Sequence, residues 1–436
     1  MSDHYATITE LDAPQLPPIP PPPPRWNQDL ANWVVFRLAL EEWAAHYVPP
    51  EDIDQLEKDL VEAIHHAADM AMPKKSRSNH TYKDSWYYSP EVRRLKTMLN
   101  RVKKLYRKRP SMENRELLQT VKNDVHQQLQ DIRIAKWMEW CSQLSQYTKL
   151  SELWKWLRRV AGKKSTTAAT HPHPLEEAER LAASFASRTS SENLSPETRG
   201  VQEQLAPGRW EEINEACLIP DDTDAPYTPE ELQAVHKVGK DTAPGADKIT
   251  YTMIKYMGPA GETALLRIIN KTHIEQTRPV TWNQQDTQPI PKPKDPQNPR
   301  PIALVSCLEK TAEKMVLNRL KYKVGPLHKH LYAYQEGIGT TECITDVLSF
   351  INGKEATVVF IDYEKAFELA SPTAILQSLK KKGVQGHLLA WNKNYVLGRQ
   401  ARVKFQGIIS SYHDPNNGTP QGGLLSPFLL TSLWRT

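Results

Sequence analysis

The chain reads as an α+β protein, helical in its first part and mixed in its second. Three observations predict this. Leu30, Trp33, Val34, Leu38 and Trp43 recur at roughly helical spacing, as do Leu117, Val121, Val125, Leu129 and Ile132 in a long segment without proline. Val358, Val359, Phe360 and Ile361 form a short β-branched and aromatic run, as expected of a strand buried on both faces. Around that run, Glu309–Leu320 reads as a helix and Arg402-Val403-Lys404-Phe405 alternates as a half-exposed strand, so helices and strands intermix through the second half.

Taken in order, residues 1–25 form a disordered tail ending in the proline run Pro17–Pro24. That run favours polyproline II and serves either as a stiff linker or as a ligand for aromatic-grooved partners. Residues 26–162 read as one basic helical region. Within it Arg93, Arg94, Lys96, Arg101, Lys103, Lys104, Arg107, Lys108 and Arg109 accumulate with no acid between them, just after Trp86, Tyr87 and Tyr88. Pro90 suits a first helical turn and Pro110 ends the run. Such a helix either tracks a phosphate backbone with aromatics stacking on unpaired bases, or is a solvated face with its aromatics packed inward. Residues 163–225 read as a flexible connector with a short helical interval near Leu175–Phe185, and its His171 and His173 as incidental loop histidines. A mixed domain over 226–436 opens where Thr228 caps a helix starting at Pro229.

Composition narrows the class. At 436 residues with 39% hydrophobic residues, the chain can bury a sizeable core in two or three domains. Cys141, Cys217, Cys307 and Cys343 are scattered, without a CxxC pair or a disulfide framework, which points to a reducing intracellular compartment. No signal peptide and no bilayer-spanning run occurs, so no membrane partner is expected. The net charge of +5 is mild, so the distribution of charge carries more information than the total.

Asp362 falls where the Val358–Ile361 run ends, placing a carboxylate at the rim of a sheet. There it can bind a hard cation through oxygen, as two-metal nucleotidyl transfer requires, or simply cap the next element. Gly418-Thr419-Pro420-Gln421-Gly422-Gly423-Leu424-Leu425-Ser426-Pro427 is a glycine-hinged loop opening a new element.

These two stretches belong to an ordered set of five. Asp241-Thr242-Ala243-Pro244-Gly245-Ala246-Asp247-Lys248-Ile249 comes first. Trp282, Pro289-Ile290-Pro291-Lys292-Pro293 and Asn298-Pro299-Arg300-Pro301-Ile302-Ala303-Leu304 follow, then Tyr334-Gln335-Glu336-Gly337-Ile338-Gly339-Thr340-Thr341. The set resembles the reverse transcriptases of non-LTR (LINE-type, jockey-like) retrotransposons over about the last two hundred residues. The resemblance implies a right-hand polymerase with fingers and an incomplete palm over 226–436. It also implies that residues 26–162 match the region between endonuclease and polymerase in such elements.

It further implies roles. Asp362 would be the first metal-binding aspartate, with the carbonyl of Tyr363 an additional ligand for Mg2+ or Mn2+. Phe367 would be the sugar gate that excludes a ribose 2′-hydroxyl, or else helix packing. Arg300 would lie over the incoming triphosphate, where a planar fork suits phosphate oxygens. Lys292 and Lys294 would add charge or be solvated. Gln421, Gly422 and Gly423 would contact the new base pair and sugar. RNA template, DNA primer and deoxynucleoside triphosphates are the implied partners. Nuclear residence would suit such a product, although no decisive targeting signal occurs.

Departures qualify the match. Glu368 stands where the family often has a second aspartate, and Lys240-Asp241-Thr242 where lysines are usual. No Tyr-x-Asp-Asp or Phe-x-Asp-Asp sequence occurs, and Phe428–Thr436 does not supply the second acidic strand or a thumb. The sequence therefore supports two readings: an RNA-directed DNA polymerase truncated before its Asp-Asp motif and inactive as this chain, or a non-catalytic nucleic-acid-binding remnant. An unfinished sheet would also expose an unpaired edge.

Overall fold

Asn32 and Asp52 begin the first two helices by accepting backbone N–H groups of the first turn, from Val35 (3.3 Å) and Gln55 (3.0 Å). The helices are α1 (Trp33–His46) and α2 (Ile53–Ala71). The structure, a computed structural model, describes residues 25–75, 86–145, 148, 150–160, 171–236, 242–292, 295, 297–363 and 365–433. The proline run 17–24, Lys240 and Asp241 of the opening block, Pro293 and Lys294 lie outside the described residues.

The chain divides into two units, residues 1–75 with 170–436 and residues 76–169. The region expected as one helical block over 26–162 is thus split near residue 75. The cause is apolar burial. Leu56, Leu60, Ala63, Ile64 and Ala67 on α2 lie in one cluster with Met253, Ile268, Met315 and Trp391. On α1 the buried stripe is Phe36, Ala39 and Leu40, with Trp33 and Trp43 partly covered, whereas Val34 and Leu38, and Leu30 ahead of the helix, are exposed. Two apolar registers fit this segment, and the core took the one that reaches α2. Short strands β1 (Arg25–Trp26) and β2 (Lys74–Lys75) pair antiparallel.

In the smaller unit, Pro90 stands at the start of α3 (Pro90–Lys108), which pairs with α4 (Met112–Ser142); α5 (Leu150–Val160) follows. Ser89 and Ser111 cap the first two. Val92, Leu95 and Val125 are buried, and Val121, Leu129 and Ile132 half-buried, so the expected stripe faces inward apart from exposed Leu117.

The stretch 163–225, read as a flexible connector, holds two packed helices among its described residues. These are α6 (Pro174–Thr189) and α7 (Pro196–Cys217). Leu181, Ala182 and Phe185 of α6 bury against Val403, and Ile213, Ala216 and Cys217 of α7 join the main cluster. Polar residues at the start of the stretch hid these short apolar stripes. Next, α8 (Pro229–His236) starts with a reciprocal cap: Glu231 N donates to Thr228 Oγ1 (3.3 Å) and Thr228 N to Glu231 Oε2 (2.9 Å). Then come α9 (Tyr251–Lys255), α10 (Gly258–Ile274) and α11 (Val280–Asn283), which carries the fully buried Trp282.

The sheet is small and mixed, in the order β4-β3-β5-β6. Its strands are β3 (Gln284–Ile290), β4 (Arg300–Leu304), β5 (Gln400–Phe405) and β6 (Ile408–Ile409). β3 pairs antiparallel with β4 (Thr287 opposite Ala303) and parallel with β5 (Thr287 opposite Val403). In β5, Ala401 and Val403 are buried, as the alternation required. Between β4 and β5 lie α12 (Cys307–Val324), α13 (Thr340–Ile351), α14 (Ala366–Leu369), α15 (Pro372–Lys381) and α16 (Gly386–Val396), and after β6 comes α17 (Ser426–Thr431). The helix expected over 309–320 is the interior of α12. The helix-rich, mixed-sheet architecture is α+β.

One expectation is overturned. Val358–Ile361 is not a buried strand: residues 355–363 have no regular structure, and Val359, Phe360 and Ile361 are 76%, 92% and 74% exposed. A strand needs a neighbour for its ladder and surfaces for its faces. No described strand pairs with this run, so its β propensity has nothing to act on.

Candidate functional site

The loop expected to meet a nucleotide is held on three sides. Gly418 N donates to Ala370 O (2.8 Å) and Thr419 N to Phe367 O (2.9 Å), tying the loop to α14. On the opposite side Ala303 N donates to Gln421 O (2.9 Å), so Gln421 covers the outer edge of β4. Two glycines are obligatory here. A Cβ on Gly418 (φ +83°) would lie 2.2 Å from Phe367 O, and one on Gly422 (φ +143°) 2.3 Å from Ala303 O.

The third side is a buried carboxylate. Glu313 Oε2 on α12 accepts the N–H groups of Leu424 and Leu425 (2.9 Å for Leu425) and the Tyr395 hydroxyl (3.3 Å). Burial pushes the Glu313 carboxyl up, and the two N–H donors oppose that shift. One turn earlier, Glu309 is pushed up to about 8 by burial although it pairs with Arg278 at 2.5 Å. The Arg278 guanidinium lies 5.2 Å and 5.3 Å from the ring centroids of Trp391 and Tyr395. Glu313 thus supports the loop from behind, beside the buried Glu309–Arg278 pair.

The opening block is anchored nearby through Asp247, with Ile249 buried and Thr242, Ala243, Ala246 and Lys248 exposed. Asp247 accepts from Ser306 Oγ (2.5 Å), the residue that caps α12, and from Ile249 N (3.2 Å). Its backbone oxygen meets His65 Nε2 of α2 at 2.7 Å. Burial raises the Asp247 carboxyl and, with Asp247 beside it, pushes Glu57 of α2 up to about 7.

The predicted site residues fall into two groups. Arg300 begins β4 with an exposed side chain, Phe367 sits half-buried in α14 with its ring edge-on to Tyr334 (6.1 Å), and Gln421 and Gly422 lie between these two elements. The backbone bonds above tie the Gln421–Gly422 loop to Phe367 and to β4, the strand that Arg300 begins. Asp362 and Tyr363, by contrast, lie in the exposed 355–363 segment. Among the described residues, no group of three or more His, Cys, Asp or Glu side chains converges as a metal site. Of the predicted site residues, Asp362 is the one carboxylate.

The sequence of residues 290–434 matches the family Reverse transcriptase (RNA-dependent DNA polymerase). The chain is similar to a probable RNA-directed DNA polymerase from transposon BS of Drosophila melanogaster, at 24% identity over 98% of this chain and 50% of the relative. It is also similar to the RNA-directed DNA polymerase from mobile element jockey of the same organism, at 23% identity over 98% of this chain and 48% of the relative. A third relative is the retrovirus-related Pol polyprotein from type-1 retrotransposable element R2 of Popillia japonica, at 29% identity over 48% of this chain and 30% of that protein.

The chain is a relative of the non-LTR retrotransposon reverse transcriptases. It spans about half or less of the length of the curated relatives it matches. The BS and jockey alignments include the helices before the reverse transcriptase match, α6 and α7 among them.

In the smaller unit the basic candidates Arg93, Arg94, Lys103, Lys104 and Arg107 are all exposed on α3. The aromatics beside them mostly pack inward. Trp86 meets Trp137 and Trp156 edge-on, both at 6.4 Å, and Trp140 stacks on Trp156 at 5.3 Å. Tyr88 alone of the Trp86-Tyr87-Tyr88 triplet is exposed, with Lys96 Nζ 5.9 Å from its ring centroid.

Sequence reasoning missed Glu313, Arg278 and Arg399. Arg399, buried at the entry to β5, donates to Asn417 O (3.1 Å) and Gly418 O (2.8 Å). The nearest signal was the spacing of one pair: Glu309 and Glu313 are four apart within a helix and so share a face.

Proposed function

We propose that this chain carries the nucleotide side of an RNA-directed DNA polymerase of the non-LTR retrotransposon kind, in a fingers-and-palm arrangement. The observation that supports it most is the Gln421–Gly422 loop, which is bonded to Phe367 through Thr419 N and to β4, the strand that Arg300 begins, through Ala303 N. In this reading Arg300 binds the triphosphate of a deoxynucleotide through its planar fork. Phe367 abuts the sugar, and the backbone at Gln421–Gly422 approaches the nascent base pair. RNA template, DNA primer and deoxynucleoside triphosphates are the substrates.

Magnesium, or manganese, would supply activation of the primer hydroxyl and neutralisation of the leaving pyrophosphate. Asp362 and the Tyr363 carbonyl are the groups of this chain that would contact it. With Asp362 the one carboxylate of this chain read as a metal ligand, a polypeptide of residues 1–436 is expected to bind deoxynucleotide and not to extend a primer.

Titration with a fluorescent deoxynucleoside triphosphate tests the reading. Arg300→Ala should weaken binding about ten-fold, in keeping with loss of a charge-assisted phosphate contact. Equal binding by wild type and Arg300→Ala, or sustained primer extension abolished by Asp362→Ala, would sink the respective halves of the proposal.

A second reading draws on the exposed basic face of α3: the chain binds nucleic acid without catalysis. Affinity for single-stranded RNA should then fall with salt at a log–log slope of about −3.5 if five cations contact phosphate. It should survive Asp362→Ala and flatten when Lys103, Lys104 and Arg107 are replaced by alanine. A slope unchanged by that triple substitution would remove α3 from the interface.

A further inference from the structure

Three segments bear the nucleotide-side residues, and they are far apart in sequence: 298–300, 365–367 and 417–422. All three are bonded to one six-residue stretch that no motif singled out, at the end of α6 and the short 3-10 turn Ser191–Asn193. Arg188 forks onto two consecutive acceptors just before Arg300, with Nη1 donating to Pro299 O (2.9 Å) and Nη2 to Asn298 Oδ1. Lys365 Nζ, two residues before Phe367, donates to Asn193 Oδ1 (3.0 Å). Asn417 Nδ2, at the head of the Gln421 loop, donates to Thr189 O (2.8 Å) and Ser191 Oγ (3.0 Å).

The stretch is itself built to stay in place. Asn193 spends both amide donors on Ser187 O (2.6 Å) and Ser190 O (3.0 Å), which leaves its oxygen aimed at Lys365. Phe185 buries beneath the Arg188 guanidinium, whose centre is 4.9 Å from the ring centroid. Farther back on α6, Glu179 takes the backbone N–H and hydroxyl of Ser411, both at 2.7 Å, fastening the helix beside β5 independently of the site.

We infer that residues 188–193 are a positioning strap, with Arg188 its central positioning residue, which sets the spacing of Arg300, Phe367 and Gln421 relative to one another. Only a planar fork reaches both Asn298 and Pro299, so lysine does not substitute. The inference rests on reading those three residues as the nucleotide side of the site. It goes beyond that reading by assigning their geometry to a segment outside residues 290–434.

Hydrogen exchange followed by mass spectrometry on the whole chain tests it without requiring catalysis. Arg188→Ala should speed exchange at the Ala303, Gly418 and Thr419 amides by about ten-fold, the scale of a local opening transition. Arg188→Lys should behave the same way. Glu179→Ala, which loosens α6 without touching the strap, should leave those amides within about two-fold of wild type. Fluorescent deoxynucleotide affinity should fall with Arg188→Ala and Arg188→Lys and hold with Glu179→Ala. Where Arg188→Ala does not fold, Asn298→Ala removes one arm at an exposed residue and should give a smaller change at the same amides.

Exchange confined to residues 174–193, a lysine variant equal to wild type, or equal effects from Glu179→Ala would each overturn the strap. If wild type binds no deoxynucleotide, the nucleotide reading fails while the exchange pattern still decides whether the strap positions these segments.

Discussion

Two segments of similar apolar pattern end in opposite conditions. Much of α12 and of the loop before α17 is buried, with the Glu309–Arg278 pair in the interior beside Glu313, which accepts the loop N–H groups. Residues 340–363 are as rich in aliphatic and aromatic side chains, yet α13 has no buried residue, and Phe350 and Phe360 are 91% and 92% exposed. The contrast teaches that an apolar pattern proposes an element, whereas burial requires a second surface that fits it. α12 has α8, α9 and α16 to pack on, while the 355–363 run has no paired strand among the described residues.

The largest expected effect falls on the buried side. Glu313→Ala strips the acceptor from two loop N–H groups and from the Tyr395 hydroxyl. It should destabilise folding by about 3–5 kcal/mol, the scale for leaving two buried N–H donors without an acceptor and opening a cavity at a buried side chain. Urea unfolding monitored by tryptophan fluorescence measures this, and a loss under about 1 kcal/mol would show that the network tolerates rearrangement.

Next comes a pH effect. Glu57 has its folded-state pKa raised to about 7, chiefly by burial and then by Asp247. The folded state therefore holds a proton that the unfolded state releases, so this contribution is complete below about pH 4.5 and is lost as pH rises through 7. Glu57→Gln should flatten that decline, which amounts to about 3 kcal/mol across the window. An unchanged slope of unfolding free energy against pH would place Glu57 in a wetter setting.

A smaller effect is expected at Gly422. Gly422→Ala meets Ala303 O and a backbone angle that alanine avoids, at about 1–3 kcal/mol, and should move the loop off β4. Faster exchange at the Ala303 amide reports this directly.

The smallest effect belongs to the exposed segment. Phe360→Ser should change stability by no more than about 0.5 kcal/mol, as at other exposed sites, and should reduce self-association in sedimentation velocity. A loss approaching 2 kcal/mol would break the comparison, because it would mean that Phe360 is covered in solution.

Much of the candidate site is legible in the order of residues alone. The glycines of the 418–423 loop are readable because their role is local: a positive φ or a close backbone approach leaves a residue type behind. The start of α8 at Thr228-Pro229 and the body of α12 are readable for the same reason, since caps and helical stripes are written within a few residues. The strand expected at 358–361 misleads because β structure is a property of pairs, and one member of a pair carries no record of whether its partner is present. Arg188 and Asn193 escape notice because their partners lie more than a hundred residues away, and single polar residues in a polar stretch announce nothing.

By itself, then, the sequence determined kinship to the non-LTR reverse transcriptases, the α+β class, and the residue types at the nucleotide loop. Each of these rests on order along the chain or on local conformational demand. The tertiary structure alone decided that α1 and α2 belong with the larger unit and that the supposed connector packs against β5. It also decided that Glu313 and the 188–193 stretch hold the loop while Asp362 lies in an exposed segment without regular structure. Those outcomes depend on which surfaces meet, and burial and long-range hydrogen bonds are settled only when distant segments compete for the same partner.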